Sequence, residues 1–450
     1  MALDFICEPE YDYKNAYSIF QFAKKLKNKT LRGATKLTTT KGLKAGTNKG
    51  LFGTLIEQDY FMYHPNSHAN ADFEEAGLEL KTTPLKKTNK GLRAKERLVF
   101  NIINYNTIVK ENWEQSSFLS KNQLLLLIFY LWEKDKNLLD YLIKYIKLLR
   151  LSEQDFEIIK QDWHTIVAKI KLGKAHELSE ADTNYLSACR KGAGNKKDLR
   201  PQPQSEILAL QRAFSFKPKY MNTIISSIEK KEEYEHVLNT NDLKTKSFEE
   251  VIYSKLDKFK GMSIDEICGK LKIKKPSAKH QAYLLTAKML GVKNGKIAEF
   301  EKADIQLKTI TLEKTGKLKE AMSFKTFKYN DIIEDNNWDM SPIREMFEKK
   351  FLFIIFRKDE AGVKKFERVQ FFHLPYSDLM QIKSLWEKVK DNTKKGIYEN
   401  ISSQDNPVAH IRNHATNSKS TFPTPNGKTA KKRCFWLNRE YIYDVITAEN

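Results

Sequence analysis

Asp72, Glu79 and Lys81 place two carboxylates and one ammonium group within a short stretch of the chain. The strand pattern Leu-Glu-Leu-Lys contains the last two, and side chains alternate along a strand, so Glu79 and Lys81 share one face while the leucines point into the core. A tight turn at Gly77 would return Asp72 to the same edge. Carboxylate oxygens hold Mg²⁺, and a nearby lysine can orient or deprotonate the water that attacks a phosphodiester. The grouping therefore suits metal-assisted phosphodiester hydrolysis.

A further carboxylate, Glu57, lies just upstream in TLIEQDYF, a segment with a helical pattern. The competing interpretation of the acidic group is a solvated edge strand, because triplets of Asp, Glu and Lys are frequent in a chain rich in Lys and Glu. The motif by itself does not separate these two interpretations.

The chain contains a second copy of this region. ADFEEAGLELKTTPL (71–85) aligns without a gap with AEFEKADIQLKTITL (298–312), and eight of the fifteen positions are identical. Three further pairs of segments match: 17–27 with 262–272, the helix around Trp163 with that around Trp386, and 212–221 with 433–442. Matches spread over so much of the chain indicate a duplicated domain.

The second copy keeps its framework but has lost acidic residues. The aligned pairs are Asp72 and Glu299, Glu79 and Gln306, Lys81 and Lys308, and Glu57 and the segment AYLLTAKML, which has no carboxylate. A merely solvated surface would have no reason to lose carboxylates selectively. The comparison therefore predicts a catalytic first copy and a non-catalytic second copy.

Buried strands and amphipathic helices must position these residues. The apolar runs 124–132 and 351–356 are typical of buried strands, since a bilayer helix needs about 20 residues. An amphipathic helix follows each run, one beginning at Ser152 and ending before Gly173, the other following Ser377. We therefore expect an α+β fold of two tandem domains, each a mixed sheet flanked by helices.

The domain boundaries follow from the repeat and from composition. Residues 1–226 are predicted to form the first domain and 249–450 the second. The stretch 227–248 between them is charged and lacks a dense apolar period, which favours a linker.

The overall composition indicates a polyanionic partner. The 450 residues include 78 Lys and Arg against 57 Asp and Glu, a formal net charge of +21, and nucleic acid is the commonest partner for such an excess. A hydrophobic content of 40% excludes a disordered chain, and four scattered cysteines exclude a disulfide framework or zinc ribbon. With no signal peptide, membrane span or Walker loop in the sequence, we expect a cytoplasmic protein without a nucleotide cofactor.

Two basic regions are candidates for DNA contact. Residues 24–49 carry nine Lys or Arg and no acid, among small polar residues that let phosphates approach, and Lys44 and Lys49 are expected to bind DNA there. The alternative is an exposed flexible loop. A second cluster lies between 190 and 219, where Arg or Lys could reach guanine and Gln could pair with adenine.

Four segments together resemble the mismatch-repair nuclease MutH and its relatives, the Sau-type GATC restriction endonucleases. These are KG-x-x-G-x-x-x-E (49–57), DFEEAGLELKT-x-P, DWHTIVAKIKLGKAHELSE, and LRPQPQSE with RAFSFK. The similarity covers most of residues 17–225. The degenerate second half resembles the two-domain restriction enzymes in particular, because MutH is a single domain.

The resemblance implies a restriction-endonuclease-like fold and Mg²⁺-dependent hydrolysis of both strands of double-stranded DNA at 5′-GATC-3′, before the G. It implies that Asp72 and Glu79 bind the metal and that Lys81 is the catalytic lysine. Glu57 matches the helix-borne acidic residue of the family, and Lys121 stands where relatives carry another active-site lysine.

The resemblance also assigns DNA contacts, because the LRPQ and RAF-x-x-K segments line the DNA-reading surface of relatives. It points to Arg200, Gln202, Arg212 and Lys217. One departure is Ala71, which stands before the first ligand where the wider superfamily has proline.

A palindromic target is most simply cut by two active sites, and this chain has one, so two chains are expected to pair as a homodimer on DNA. The second copy is expected to bind DNA without cutting, as an effector. Two other functions stay open: a nicking repair nuclease, and a non-catalytic basic DNA-binding regulator.

Overall fold

The computed structural model describes residues 3–37, 50–65, 70–89, 91–230, 233–276, 281–293, 296–414, 417 and 419–448. Helices and mixed sheets alternate along the chain, which confirms the predicted α+β class. Within these ranges no helix has the length and apolar character needed to cross a membrane.

The secondary-structure elements fall into two series. In the first half they are α1 (Ala16–Lys24), α2 (Leu31–Ala34), α3 (Leu51–Asp59), β1 (Leu78–Thr88), β2 (Gly91–Ala94), β3 (Leu98–Ile102), α4 (Tyr105–Ile108), α5 (Ser117–Asn122), β4 (Leu124–Leu131), β5 (Leu142–Arg150), α6 (Glu153–Lys171), β6 (Leu186–Arg190), β7 (Leu199–Gln202), β8 (Ser205–Leu210), β9 (Arg212–Phe216) and α7 (Pro218–Glu229). In the rest of the chain they are β10 (Tyr234–Glu235), α8 (Thr240–Leu243), α9 (Phe248–Asp257), α10 (Ile264–Leu271), α11 (Gln281–Met289), β11 (Lys296–Ile297), α12 (Ala298–Ala303), β12 (Gln306–Leu312), β13 (Met322–Phe327), α13 (Tyr329–Glu334), α14 (Pro342–Phe347), β14 (Phe351–Lys358), β15 (Lys364–Phe372), α15 (Tyr376–Lys394), β16 (Ala409–Asn413), β17 (Thr421–Pro423), β18 (Thr429–Lys431), β19 (Arg433–Leu437) and α16 (Arg439–Thr447).

Three sheets of the first half have counterparts in the second. The order β2-β1-β4-β5 corresponds to β12-β14-β15, β3-β9-β6 to β13-β19-β16, and β7-β8 to β17-β18. In the largest sheet of each half the first conserved pair is parallel, β1 with β4 and β12 with β14, and the next pair is antiparallel. The sequence repeat is therefore accompanied by a repeat of strand order and direction.

The long helix α6 begins and ends where its sequence pattern predicts. Ser152 is the N-cap, and its hydroxyl accepts a hydrogen bond from the Asp155 N–H at 3.1 Å. Trp163 lies in the stripe that the helix buries and is 1% exposed. Its counterpart Trp386 on α15 is 4% exposed, so both tryptophans are core residues, as their spacing indicates.

The apolar side chains pack into three clusters. One lies on the α1 and α3 side of β1 and β4, within residues 11–143, and one lies within the second half, residues 310–446. The largest joins the halves, because α9, α10 and α11 contribute side chains to the same cluster as α6 and β4. The first half therefore shares its core with the beginning of the second.

The stretch 227–248, predicted as a linker, contributes four apolar side chains to this joint core. Val237, Leu238, Leu243 and Phe248 are each less than 7% exposed. The apolar residues are too widely spaced for a sequence period to reveal them, since they come from two short elements and the turns between them. These four side chains anchor the described part of the connection to the core, and its role as a linker stays a prediction.

Candidate active site

A tight turn brings Asp72 next to strand β1. A short 3-10 helix, Glu74–Ala76, ends at Gly77, whose φ of +59° lies in the left-handed region that favours glycine. The N–H of Phe73 donates to the carbonyl of Leu78 at 2.9 Å, and the N–H of Leu78 donates back at 3.1 Å. The chain reverses at this point, and Asp72 lies beside the beginning of the strand.

Main-chain hydrogen bonds fix the two predicted metal ligands against each other. Glu79 Oε2 accepts from the N–H of Asp72 at 3.1 Å, and Asp72 Oδ2 accepts from the N–H of Leu80 at 2.8 Å. Glu79 is 1% exposed, and β1 lies between β2 and β4 in its sheet. Around Glu79 the strand pairs with β4 alone, because β2 pairs only with Leu85–Thr88. The motif therefore lies at a strand edge, but Glu79 is buried and the edge is not solvated there.

Two lysines converge on Glu79. Its Oε1 lies 2.5 Å from Lys81 Nζ and 3.7 Å from Lys121 Nζ. Lys121 is on α5, which leads directly into β4, and the pairing of Glu79 with Leu125 across β1 and β4 brings the end of that helix to the site. A buried carboxylate needs such compensation, because an isolated charge is costly in a low-dielectric interior.

Glu57 completes the group from helix α3. A Cβ at Gly53 would lie 3.2 Å from Thr82 Oγ1, so this glycine allows the helix to approach β1 closely. Burial raises the pKa of Glu57 to about 7, against the attraction of Lys81 and with a contribution from Glu79. The third carboxylate thus stands within electrostatic range of the other two.

The remaining charges of the group also influence each other. Burial raises the pKa of Asp72 to about 7, and the neighbouring charge of Glu79 adds to the shift. Burial alone would lower the pKa of Lys81, but the charges of Glu79 and Asp72 outweigh it and the pKa lies above its ordinary value. Crowded carboxylates that retain protons near neutrality favour the arrival of a cation.

The donor set fits a hard divalent cation with an incomplete protein shell. In the described part of the chain no group of three or more His, Cys, Asp and Glu side chains has the spacing of a metal cage. Mg²⁺ is often bound by only one or two carboxylates, with water and substrate phosphate as the other ligands. Asp72 and Glu79 supply such a pair of oxygen donors.

The predicted DNA contacts occupy different environments. Arg200 on β7 is exposed, and its guanidinium donates to the carbonyls of Lys197 at 2.7 Å and Leu199 at 2.9 Å. Gln202 is buried, accepts from the N–H of Ala175 at 2.6 Å and donates to a carbonyl of the β8 strand. Lys44 and Lys49 lie outside the described residues.

Arg212 and Lys217 are buried, at 1% and 6% exposure. Arg212 donates to the carbonyl of Ala188 at 2.7 Å and to the carbonyl of Leu178. Lys217 Nζ donates to the carbonyls of Thr183 at 2.7 Å and Ala303 at 3.2 Å. Their burial contrasts with the exposed Arg200, and the assignment of both as DNA contacts stays a prediction. Both side chains brace the strands beneath the surface.

The aligned residues of the second half have other partners. Glu299 is 0% exposed, and its Oε1 accepts from the main-chain N–H groups of Val237 at 3.1 Å and Leu238 at 3.3 Å. Gln306 is exposed and donates to Asp304 Oδ1 at 3.1 Å. These side chains do not form a second carboxylate group.

A buried residue near the site that sequence reasoning did not single out is Tyr63. It follows α3 and is 1% exposed, and its main-chain N–H donates to the carbonyl of Glu57 at 3.1 Å. Its segment is rich in aromatic residues, and no spacing rule separates one core tyrosine from another.

The region that contains this site is similar in sequence to known proteins. A family model described as the DNA mismatch repair enzyme MutH matches residues 61–162, which include Asp72, Glu79, Lys81 and Lys121. The DNA mismatch repair protein MutH of Shewanella woodyi is 28% identical over 182 residues, 40% of this chain and 77% of that protein. MutH of Shewanella amazonensis is 31% identical over 146 residues, 32% of this chain and 63% of that protein.

A similarity of greater extent spans both halves. The type II restriction enzyme Sau3AI of Staphylococcus aureus is 35% identical over 420 residues, which cover 85% of each chain. Identity at this level along most of both proteins shows common descent, and the chain therefore belongs to the MutH/Sau3AI-like family and is a site-specific deoxyribonuclease.

Proposed function

We propose that this chain is a type II restriction endonuclease that cuts both strands of 5′-GATC-3′ before the G, with Mg²⁺, at the group formed by Asp72, Glu79 and Lys81. One observation carries the proposal. Glu79 is a buried carboxylate that lies 2.5 Å from Lys81 Nζ and is joined to the main chain of Asp72. Such an arrangement is costly for stability alone, whereas it suits a site that must hold a cation beside a reactive water.

The roles of the side chains follow from their positions. Asp72 and Glu79 would hold the divalent ion, which when bound offsets the charge of the scissile phosphate. Lys81 is held by Glu79 and, as an ammonium group, would orient the attacking water. Lys121 adds positive charge on the same side of Glu79. Glu57, whose pKa of about 7 lets it take up or release a proton near neutrality, is the third acidic residue of the site.

The proposed GATC specificity rests on the resemblance to the Sau-type enzymes and on the extent of similarity to Sau3AI. Of the four DNA contacts assigned from the resemblance, Arg200 on the β7 and β8 hairpin is the exposed one and is therefore proposed to reach a base or phosphate. Lys44 and Lys49 stay proposed phosphate contacts, since a basic stretch without acids favours a polyanion.

We propose that residues 1–226 and 249–450 are two tandem MutH-like domains, connected by 227–248. The second domain would bind DNA without cutting and act as an effector. A cleft of about 1230 Å³ lies beside Gln306 and Lys308, and its walls contain lysine as well as acidic side chains. Burial lowers the pKa of Lys308, whose Nζ donates to the Ser323 carbonyl at a long 3.4 Å, so a phosphate oxygen would be a better partner.

One catalytic group per chain predicts that two chains pair on a palindromic site. The simplest arrangement relates two first halves by a two-fold axis, each cutting one strand. A second DNA site bound by the other halves would favour this pairing, and cleavage would then rise more than linearly with the number of sites per molecule.

The test is digestion of a supercoiled plasmid with one GATC site and of a matched plasmid without it, in Mg²⁺ and in EDTA. The proposal expects linear product only from the first plasmid and only in Mg²⁺. A nicking repair nuclease, the function of the MutH relatives, is the second candidate, and stable open-circular product would favour it. Uncut plasmid despite tight binding would instead favour a non-catalytic DNA-binding regulator.

A further inference from the structure

Lys308 occupies in the second half the position that Lys81 occupies in the first, but its surroundings have changed. In the first half Lys81 Nζ lies 2.5 Å from Glu79 Oε1. In the second half the aligned residue is the neutral Gln306, whose amide donates to Asp304 Oδ1 at 3.1 Å. The lysine has therefore been kept while its carboxylate partner has been lost.

The ammonium group of Lys308 has weak compensation for its burial. The side chain is partly buried, with Nζ 5.8 Å from the centroid of the Phe324 ring. Nζ donates to the carbonyl of Ser323 at 3.4 Å, which is long for a hydrogen bond of this kind. Burial lowers its pKa, and no carboxylate of the described residues is close enough to raise it again. A cation in such surroundings favours an anion that can approach it.

An anion can reach this lysine. Lys308 is partly exposed and lines the cleft of about 1230 Å³ in the second half. The walls of the cleft also contain four acidic side chains: Asp304, Asp331, Asp335 and Glu345. Of these, Asp304 is paired with Lys349, whose Nζ lies 2.6 Å from its Oδ2. An oxygen atom of a DNA phosphate could therefore approach Lys308 from the cleft.

The lost carboxylates determine how a phosphate could bind here. In the first half Glu57, Asp72 and Glu79 all act on the catalytic lysine, and such a group of acids disfavours a phosphate until a divalent ion binds. In the second half Glu299 is completely buried and is held by main-chain N–H groups, and Gln306 has no charge. A phosphate in the second cleft would meet the ammonium group without these opposing charges.

We propose that the second half binds a DNA phosphate directly through Lys308, without a divalent ion. The lysine that serves catalysis in the first half thus serves DNA binding in the second, and the full chain can hold DNA before an ion binds to the first half. This inference rests on the proposed DNA binding by the second half, to which it adds the binding group and its independence of metal.

The test measures the affinity of the full chain for a GATC duplex in EDTA, where the first half lacks its ion. Lys308→Gln is expected to lower this affinity roughly tenfold to a hundredfold, the range for one hydrogen bond to a charged group. Its Tm is expected to stay the same or rise, because a partly buried charge is removed. Lys308→Arg keeps the charge and is expected to retain most of the affinity. The control is Lys317→Gln, at an exposed lysine outside the cleft, and is expected to stay within about twofold of the wild type.

A second measurement separates the two halves. Ca²⁺ replaces Mg²⁺, and the gain in affinity over EDTA reports the ion held by the first half. Glu79→Gln is expected to reduce this gain, because it removes the charge of one proposed ligand. Lys308→Gln is expected to preserve or enlarge it, because the second half binds its phosphate without the ion.

Three results would overturn the inference: no measurable binding of the wild type in EDTA, a loss of affinity below about threefold in Lys308→Gln, or an equal loss in Lys317→Gln. Cleavage by Glu79→Gln in Mg²⁺ is assayed in parallel to separate this inference from the proposed catalytic site. If Glu79→Gln still cuts, the catalytic site is wrong. If it is inactive and Lys308→Gln binds normally in EDTA, only the role of Lys308 fails.

Discussion

The two halves build the same turn and use it for different purposes. Gly77 and Asp304 occupy aligned positions, and both have left-handed φ values, +59° and +56°. The N–H of Leu78 donates to the Phe73 carbonyl at 3.1 Å, and the aligned N–H of Ile305 donates to its counterpart carbonyl at 3.0 Å. The backbone framework has been kept, so the difference between the halves lies in the side chains and in what covers them.

Packing explains why the acidic residue changed its role. In the first half α1 and α3 form an apolar cluster of their own, and the carboxylate group stays at its edge. In the second half α10 and α11 merge with the core of the first half, and α12 contacts α7. Glu299 is covered where the two halves meet, and it accepts hydrogen bonds from the main-chain N–H groups of Val237 and Leu238. Asp72 stays partly exposed, whereas packing against the other half covers the aligned Glu299 completely.

The largest expected effect is on catalysis. Glu79→Gln removes the charge that holds Lys81 and one ligand of the ion, so cleavage of a GATC duplex is expected to fall about a thousandfold or more. Gln306→Glu is the reverse change at the aligned position. Combined with Glu79→Gln, it is expected to restore no cutting. Made alone in the wild-type protein, it is expected to leave the cleavage rate unchanged. A second half that cuts after Gln306→Glu would contradict the comparison.

The effect on stability should be larger in the second half than in the first. Glu299→Ala leaves the N–H groups of Val237 and Leu238 without acceptors in a buried place, and the free energy of unfolding is expected to fall by about 3 kcal/mol. Asp72→Asn is expected to leave stability unchanged or raise it, because it removes a charge beside Glu79. Urea unfolding measures both, with the exposed Gln306→Ala as the control. Equal losses in the two halves would show that Asp72 and Glu299 have the same role.

The stability that the ion pair of Asp182 and His373 contributes between the halves should depend on pH. Burial alone would raise the pKa of Asp182, but His373 of the second half, 3.2 Å away, and Lys169 outweigh it and hold the pKa at about 2. The ionised form is thus favoured by folding, and this stability is present above pH 4 and is lost as pH falls through 2, up to about 2 kcal/mol. His373→Ala should raise the pH midpoint of acid unfolding, whereas the surface variant His414→Ala should not. Identical midpoints would exclude this contact as a stabilising one.

The smallest expected effect separates exposed from buried cations in the first half. Arg200→Ala should lower DNA affinity roughly tenfold and reduce its salt dependence by about one phosphate contact, without a change in Tm. Lys217→Ala should lower Tm, because two carbonyls lose their donor, with little effect on the salt dependence of binding. Binding titrations at several salt concentrations and thermal melts distinguish the two. A steep salt effect of Lys217→Ala would restore it as a DNA contact.

Local features were predictable from the sequence, and long-range packing was not. The turn at Gly77, the alternation around Glu79 and the helix that begins after Ser152 depend on near neighbours, so residue type and spacing reveal them. That Lys121 lies beside Glu79 could be expected only from the family resemblance. Burial of Lys217 depends on the carbonyl of Ala303, 86 residues away. The burial of Tyr63 could not be predicted from the sequence, because no spacing rule separates one core tyrosine from another.

The joint core also affects how the protein can be divided. Val251, Ile252 and Leu256 on α9 fill the same apolar cluster as Trp163, so a chain that stops at the end of α7 would leave this surface open to water. We expect such a fragment to aggregate or to require detergent, although it contains every proposed catalytic residue. We therefore expect the first half to depend on the second for its solubility, and a separated first half to need new polar residues on α6.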